Sequence, residues 1–184
     1  MKRILVGISG ASGSIYGLRL LEVLQEKDVE LHLVISDGAK PIITHETRRT
    51  IESITSLASY VYDNYDMSAG PASGSFQIDG MCIAPCSMKT LASIAQGYGN
   101  TLISRAASCM LKENKRLVLV VRETPIDLPG LRNMVSAKEA GAVVLPAAPG
   151  FYHRPETVND LVDFIVGKIL DQFQINHSLF KRWE

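Results

Sequence analysis

A βαβ pattern at the start of the chain constrains the fold most. Arg3 to Ile8 is a β-branched and aliphatic run, and Ser9-Gly10-Ala11-Ser12-Gly13-Ser14 follows it. Ile15, Leu18, Leu21 and Val23-Leu24 then recur at helical spacing before a second strand at Val29 to Ile35. Strands joined over so short a span through a helix must be parallel, with a right-handed crossover. Further strands are predicted at Gly80 to Pro85, Leu117 to Val121 and Ala142 to Leu145, each beside a helical pattern. The alternation predicts a doubly wound, mostly parallel sheet in a three-layer α/β/α domain. Val158, Leu161, Val162, Ile165, Val166, Ile169, Leu170 and Phe173 stripe the last helix, which packs on the sheet or on another subunit.

The 184 residues are one domain's worth, and neither a repeat nor a linker divides them, so 1–184 reads as a single domain. Nineteen Lys and Arg balance nineteen Asp and Glu, so no global field draws nucleic acid or an anionic membrane. The longest aliphatic run, Leu117 to Val121, is far short of the roughly 20 residues that cross a bilayer. Met1-Lys2-Arg3 could begin a signal peptide, but Gly7, Ser9, Gly10 and Ser12 break the apolar stretch, and the segment reads as a strand. Cys82, Cys86 and Cys109 are an odd set without zinc-ligand spacing, which fits reduced thiols and a cytoplasmic protein.

In a doubly wound sheet, ligands sit beyond the carboxyl ends of the strands. Here those ends lead into the Gly/Ser loop, Ser36-Asp37, Cys86-Ser87-Met88-Lys89-Thr90, Arg122-Glu123, and a segment running through Pro146 and Pro149 to Phe151-Tyr152-His153. Hydroxyls, backbone donors and an arginine on one edge suit a phosphate-bearing ligand. The Gly7-x-x-Gly10-x-x-Gly13 loop lets backbone approach a ligand, and the following helix is expected to aim free N–H groups at an anion; the alternative is a tight structural turn. It lacks the glycine spacing of a dinucleotide fingerprint, although Asp37 stands where a ribose diol would bind. Ser87 and Thr90 offer a second anion pocket, or Ser87 simply caps its helix.

Lys112-Glu113-Asn114-Lys115-Arg116 suits the C-terminal end of a helix, with a solvated face as the default for most of its cations. Glu46 and Glu123 are carboxylates able to relay protons beside a phosphate, or ordinary surface partners. Asp63 and Asp66 do not make a magnesium-diphosphate motif, and His32, His45, His153 and His177 lack metal or triad spacing, so no metal is expected.

Several segments in order carry a further signal: Gly10-Ala11-Ser12-Gly13, Pro71-Ala72-Ser73-Gly74-Ser75, Pro85-Cys86-Ser87-Met88-Lys89-Thr90-Leu91, Arg105-Ala106-Ala107, Leu111-Lys112-Glu113, Val121-Arg122-Glu123-Thr124-Pro125, and Pro146-Ala147-Ala148-Pro149-Gly150-Phe151-Tyr152-His153. From Arg3 to Trp183 the chain resembles the UbiX-like flavin prenyltransferases, formerly labelled aromatic acid decarboxylase subunits. The resemblance implies a flavodoxin-like homo-oligomer, commonly a dodecamer, with its site between subunits. It implies metal-free transfer of a dimethylallyl group from dimethylallyl monophosphate to N5 and C6 of reduced FMN. The product is the cofactor of UbiD-type decarboxylases.

By motif, the resemblance gives Gly10, Ala11, Ser12, Ser36, Ser87, Met88, Lys89, Thr90 and Arg122 to FMN, with Ser12 close to the reacting nitrogen. It sets Lys112, Glu123, Tyr152 and Lys168 around the prenyl phosphate, with Arg105 nearby and Glu46 assisting proton transfer. Trp183 closes the apolar pocket, and the segment 174–184 closes the site or packs on a neighbour. The chain departs from the family at Lys168, often Arg, at Ser108, often Asp, and at Leu128-Pro129-Gly130-Leu131 in place of Ile-His-Leu. Rival readings are a flavin-dependent cysteine-type decarboxylase, which needs an early His absent here, a non-catalytic FMN carrier, and a nicotinamide dehydrogenase.

Overall fold

The computed structural model describes residues 1–183. Six strands form one sheet: β1 (Lys2–Ile8), β2 (Val29–Ile35), β3 (Tyr60–Tyr62), β4 (Gly80–Cys86), β5 (Arg116–Val121) and β6 (Val143–Pro146). All five strand pairings are parallel, and the order across the sheet is β3-β2-β1-β4-β5-β6. The described residues also form seven α-helices, six between strands and the last after β6: α1 (Ser14–Gln25), α2 (Ala39–Thr47), α3 (Ile51–Thr55), α4 (Met88–Ala95), α5 (Leu102–Lys112), α6 (Leu128–Glu139) and α7 (Val158–Gln172).

The five predicted strands are present, with ends shifted by a residue or so. The sequence reading missed β3, whose three residues pair with His32, Leu33 and Val34 at the sheet edge. Without that edge the order is the flavodoxin one, and with it the order matches the Rossmann sheet. In both, the strand order reverses between β1 and β4, so a crevice opens between the loops that leave those two strands.

A parallel sheet must be covered on both faces, and its strands read as near-continuous apolar runs. One core joins alternate residues of β1, β2, β4 and β5 to α1 and α7, through Leu20, Leu21, Leu24, Ile165, Val166 and Ile169. The other packs the opposite residues against α4, α5 and α6, through Leu91, Leu102, Ile103, Ala106, Met110 and Ala137. The predicted stripe on α7 lies largely on the sheet. Its Val158 end is the exception, 69% exposed. Gly17 lets α1 approach β4, because a Cβ there would sit 2.2 Å from the Ala84 carbonyl oxygen.

Candidate active site

Ser9 fastens the crevice. Its buried hydroxyl donates to the Pro85 carbonyl at 2.9 Å and accepts from the Ser87 amide at 2.8 Å, tying the ends of β1 and β4 together. The sequence reading gave Ser9 no role, since a serine in a Gly/Ser loop carries no sign of its cross-strand partner.

Beside this fastening lies a cleft of about 370 Å³, lined by Gly10, Ser36, Asp37, Asn64, Tyr65, Ser87, Met88, Lys89, Thr90, Thr101, Ser104 and Glu123. Ser87 caps α4, with Oγ accepting from the Thr90 amide at 3.2 Å and donating to Thr90 Oγ1 at 3.1 Å. The Met88 and Lys89 amides in that first turn have no acceptor among the described residues, so the positive end of α4 opens on the cleft. Asn64, also missed from sequence, forms part of the wall: its Oδ1 accepts from the Ile103 amide and its carbonyl from the Leu102 amide, which anchors α5. Asp37 faces the cleft paired with Lys40 at 2.6 Å.

The start of α1 differs from expectation. Its first N–H groups are not free for a ligand, because Glu46 of α2 accepts from the Gly13 amide at 3.0 Å, the Ser14 amide at 2.9 Å and Ser14 Oγ at 2.6 Å. Gly13, at φ 98°, has no side chain to cap the helix, and Glu46 does so instead. Burial acts to raise the Glu46 pKa, but hydrogen bonds from the Ser12 and Ser14 hydroxyls and the Ser14 and Gly13 amides outweigh it and hold the carboxyl low. Arg122 Nε donates to the Ser12 carbonyl at 2.9 Å, so Ser12 sits between an arginine and an ionised carboxylate.

The remaining predicted residues lie apart. Lys112 ends α5, which runs antiparallel to the strands, and so stands at the amino rim of the sheet beside Glu113 and Gly74. Arg105, two turns earlier, donates to the Ala72 carbonyl at 2.9 Å. Tyr152 and Trp183 meet edge to face at 5.7 Å, and Lys168 Nζ lies 3.8 Å from Asp171. Within one chain, none of these five residues lines the cleft that Ser87 and Glu123 share.

Cys82, Cys86 and Cys109 are buried free thiols, and burial pushes Cys86 up to about 12. His32 is buried between Glu30 and Tyr62, so it has a structural environment. The described residues contain no cluster of three potential metal ligands, and no described helix is long and apolar enough to cross a membrane.

A family model described as Flavoprotein matches residues 1–170. The chain is 52% identical over 181 residues to flavin prenyltransferase UbiX of Thauera aromatica, which covers 98% of this chain and 93% of that protein. The chain belongs to the flavin prenyltransferase family. Another member, from Escherichia coli K12, is 49% identical and covers 100% of this chain and 99% of its own length. Among solved structures, AnUbiX (PadA1) in complex with FMN and dimethylallyl pyrophosphate superposes with a TM-score of 0.98 at 46% identity, covering 100% of this chain and 97% of that one. A dodecameric FMN-dependent UbiX-like decarboxylase from Escherichia coli O157:H7 follows at 0.96 and 43%, with 99% of each chain covered. The cysteine decarboxylase TvaF shares only the fold, at 17% identity and a TM-score of 0.63. As a flavin prenyltransferase, the chain holds the residues of its motif segments in separate parts of one copy.

Proposed function

We propose that the protein transfers a dimethylallyl group from dimethylallyl monophosphate to N5 and C6 of reduced FMN without a metal, yielding prenylated FMN for a UbiD-type decarboxylase. The observation that carries this reading is the free N-terminal turn of α4, opening at the strand-order reversal in a chain 46% identical to a protein crystallised with FMN and dimethylallyl pyrophosphate. The donor set of the cleft suits FMN: amides and hydroxyls of Ser87 to Thr90 for its phosphate, with Gly10 and Ser36 in the same lining, and Ala11, Ser12 and Arg122, outside that lining, would complete the surroundings of the rest. Bound and reduced, the flavin would supply the nucleophilic nitrogen and carbon.

The chain's own groups handle the charge and the protons. Glu46, held ionised, accepts a proton by way of the Ser12 hydroxyl. Lys112, Lys168 and Tyr152, with Glu123 and Arg105 nearby, surround the donor phosphate and stabilise the charge that develops as its carbon–oxygen bond breaks. Trp183 offers its ring face to the allyl cation, an attraction of about 0.5–2 kcal/mol. Because Lys112 lies at the amino rim, the complete site draws Lys112 from a neighbouring copy, which agrees with a homo-oligomer such as the dodecamer reported for the relative from Escherichia coli O157:H7.

The test is to reduce the FMN-loaded protein anaerobically, add dimethylallyl monophosphate or dimethylallyl pyrophosphate with and without a chelator, and weigh the extracted flavin. A gain of one prenyl unit from the monophosphate, unaffected by chelator, is the expected result. Unchanged FMN overturns the proposal in favour of a carrier.

A further inference from the structure

The chain after α7 turns back along that helix. Two features of α7 hold it there. Asp171 Oδ1 accepts from Arg182 Nη2 at 2.6 Å and from His177 Nε2 at 3.1 Å, and Oδ2 accepts from Arg182 Nη1 at 3.2 Å. His177 Nδ1 accepts from the Leu179 amide at 3.3 Å, which leaves Nε2 as the protonated nitrogen that faces Asp171. One turn earlier, Gly167 forms a notch: a Cβ there would lie 2.5 Å from Phe180 Cε1 and 2.6 Å from His177 Cε1.

From that notch an aromatic column rises to the far end of the strap. Phe180 packs on Phe164 at 4.9 Å, Phe164 meets Tyr152 at 5.7 Å, and Tyr152 meets Trp183 at 5.7 Å, both of the last two edge to face. The Arg182 guanidinium also lies 5.5 Å from the Phe180 ring centre. Asp171 Oδ2 is the partner of Lys168 Nζ as well, at 3.8 Å. One carboxylate therefore faces the strap on one side and the lysine assigned to the donor phosphate on the other.

We propose that Asp171 is a positioning residue, latching residues 174–183 onto α7 so that Trp183 stays against Tyr152 while Lys168 is kept within reach of the donor phosphate. The proposal rests on the prenyl-transfer reading above. Its logic is that terminal segments fray unless tied down, and an aromatic wall contributes to binding only while its position is fixed. Hydrogen bonds from Arg182, opposed by burial and aided by His177, hold the Asp171 carboxyl below the usual range, so the latch is ionised under working conditions. Lys168 has the flexible stem of a lysine, and a neighbouring carboxylate narrows the positions its ammonium takes.

Trp183 is the chain's one tryptophan, so 5-fluorotryptophan labelling of the full-length, FMN-loaded protein gives a single fluorine resonance at the strap. Two variants release the strap by different routes: Asp171→Asn removes the charge of the latch, and Gly167→Ala fills the notch with a better helix former. In both, the fluorine line should narrow at least about twofold as the ring gains fast motion. FMN affinity should stay unchanged. The KM for dimethylallyl monophosphate should rise about tenfold with a smaller change in kcat, the scale of freeing two rotamer-rich side chains.

An unmoved line in both variants, each folded by its melting curve, overturns the latch whatever the activity shows. A narrowed line with KM unmoved overturns the positioning role at the donor end. Failure of the prenyl-transfer reading looks different: wild-type protein would add no mass to FMN, while the fluorine lines would still decide the latch.

Discussion

Glu46 Oε2 accepts from Ser14 Oγ at 2.6 Å, so a carboxylate from α2 closes the N-terminus of α1 across 32 residues of chain. The first helix of the domain is thereby capped by a group that the proposed reaction also uses for protons. Its ionisation links stability to pH with a definite sign. A depressed folded pKa contributes stability that is fully present above the unfolded value, about 4.3 for Glu, and is lost as pH falls through the folded value.

Glu46→Gln should therefore cost about 1 kcal/mol at neutral pH, the usual worth of a helix cap. It should also flatten the acid limb of the stability curve. Denaturant melts of the two proteins from pH 7 to pH 3 check this, and parallel curves with no convergence on the acid side would refute it.

Mixed oligomers test the division of the site. Lys112→Ala and Glu46→Gln homo-oligomers should each bind FMN and each fail to prenylate it. Dissociated together and reassembled, they should recover about a quarter of wild-type activity, because random mixing leaves that share of pockets with both groups intact. No recovery in verified hybrids would mean that Lys112 and Glu46 do not meet from different copies.

Ser87→Ala removes the cap of α4 and a hydroxyl from the cleft. We expect FMN to bind about tenfold more weakly, corresponding to about 1.4 kcal/mol. Flavin fluorescence titration measures it. Unaltered affinity would move the flavin phosphate away from this helix.

Gly17→Ala separates packing from helix propensity. In an open helix, alanine would stabilise by about 1 kcal/mol. Here its Cβ would meet the Ala84 carbonyl oxygen at 2.2 Å, so a net loss of about 1–3 kcal/mol is expected from forcing α1 off β4. The urea midpoint should fall at constant m. A raised midpoint would contradict the close approach.

The parts of this molecule that the sequence makes legible are those written locally. Four strands, β1, β2, β4 and β5, declare themselves as aliphatic runs because most of their residues are buried on both faces, β6 shows as a short apolar run at the edge, and Ser87 declares itself as a cap by standing between a strand and an apolar helix. Tyr60–Tyr62 stays hidden because a three-residue edge strand, two of its residues exposed, has neither the length nor the continuous apolar run. Glu46 at the start of α1, Ser9 between two strand ends and Asp171 beneath Arg182 are all choices of partner, fixed by the fold rather than by neighbours in sequence. Ser87 to Thr90 and Glu123, given by the motifs to FMN and to the donor phosphate, line one cleft, but the motifs carry no sign that Lys112 stands at the opposite rim.

That rim follows from α5. Eleven helical residues rise about 16 Å, enough to carry the chain from one margin of the sheet to the other. Thr101 and Ser104 at its beginning serve a cleft that its last residue does not touch. On the proposed reading, substitutions in the opening turn act on this copy's own ligand, and those in the closing turn on the site of a neighbouring copy.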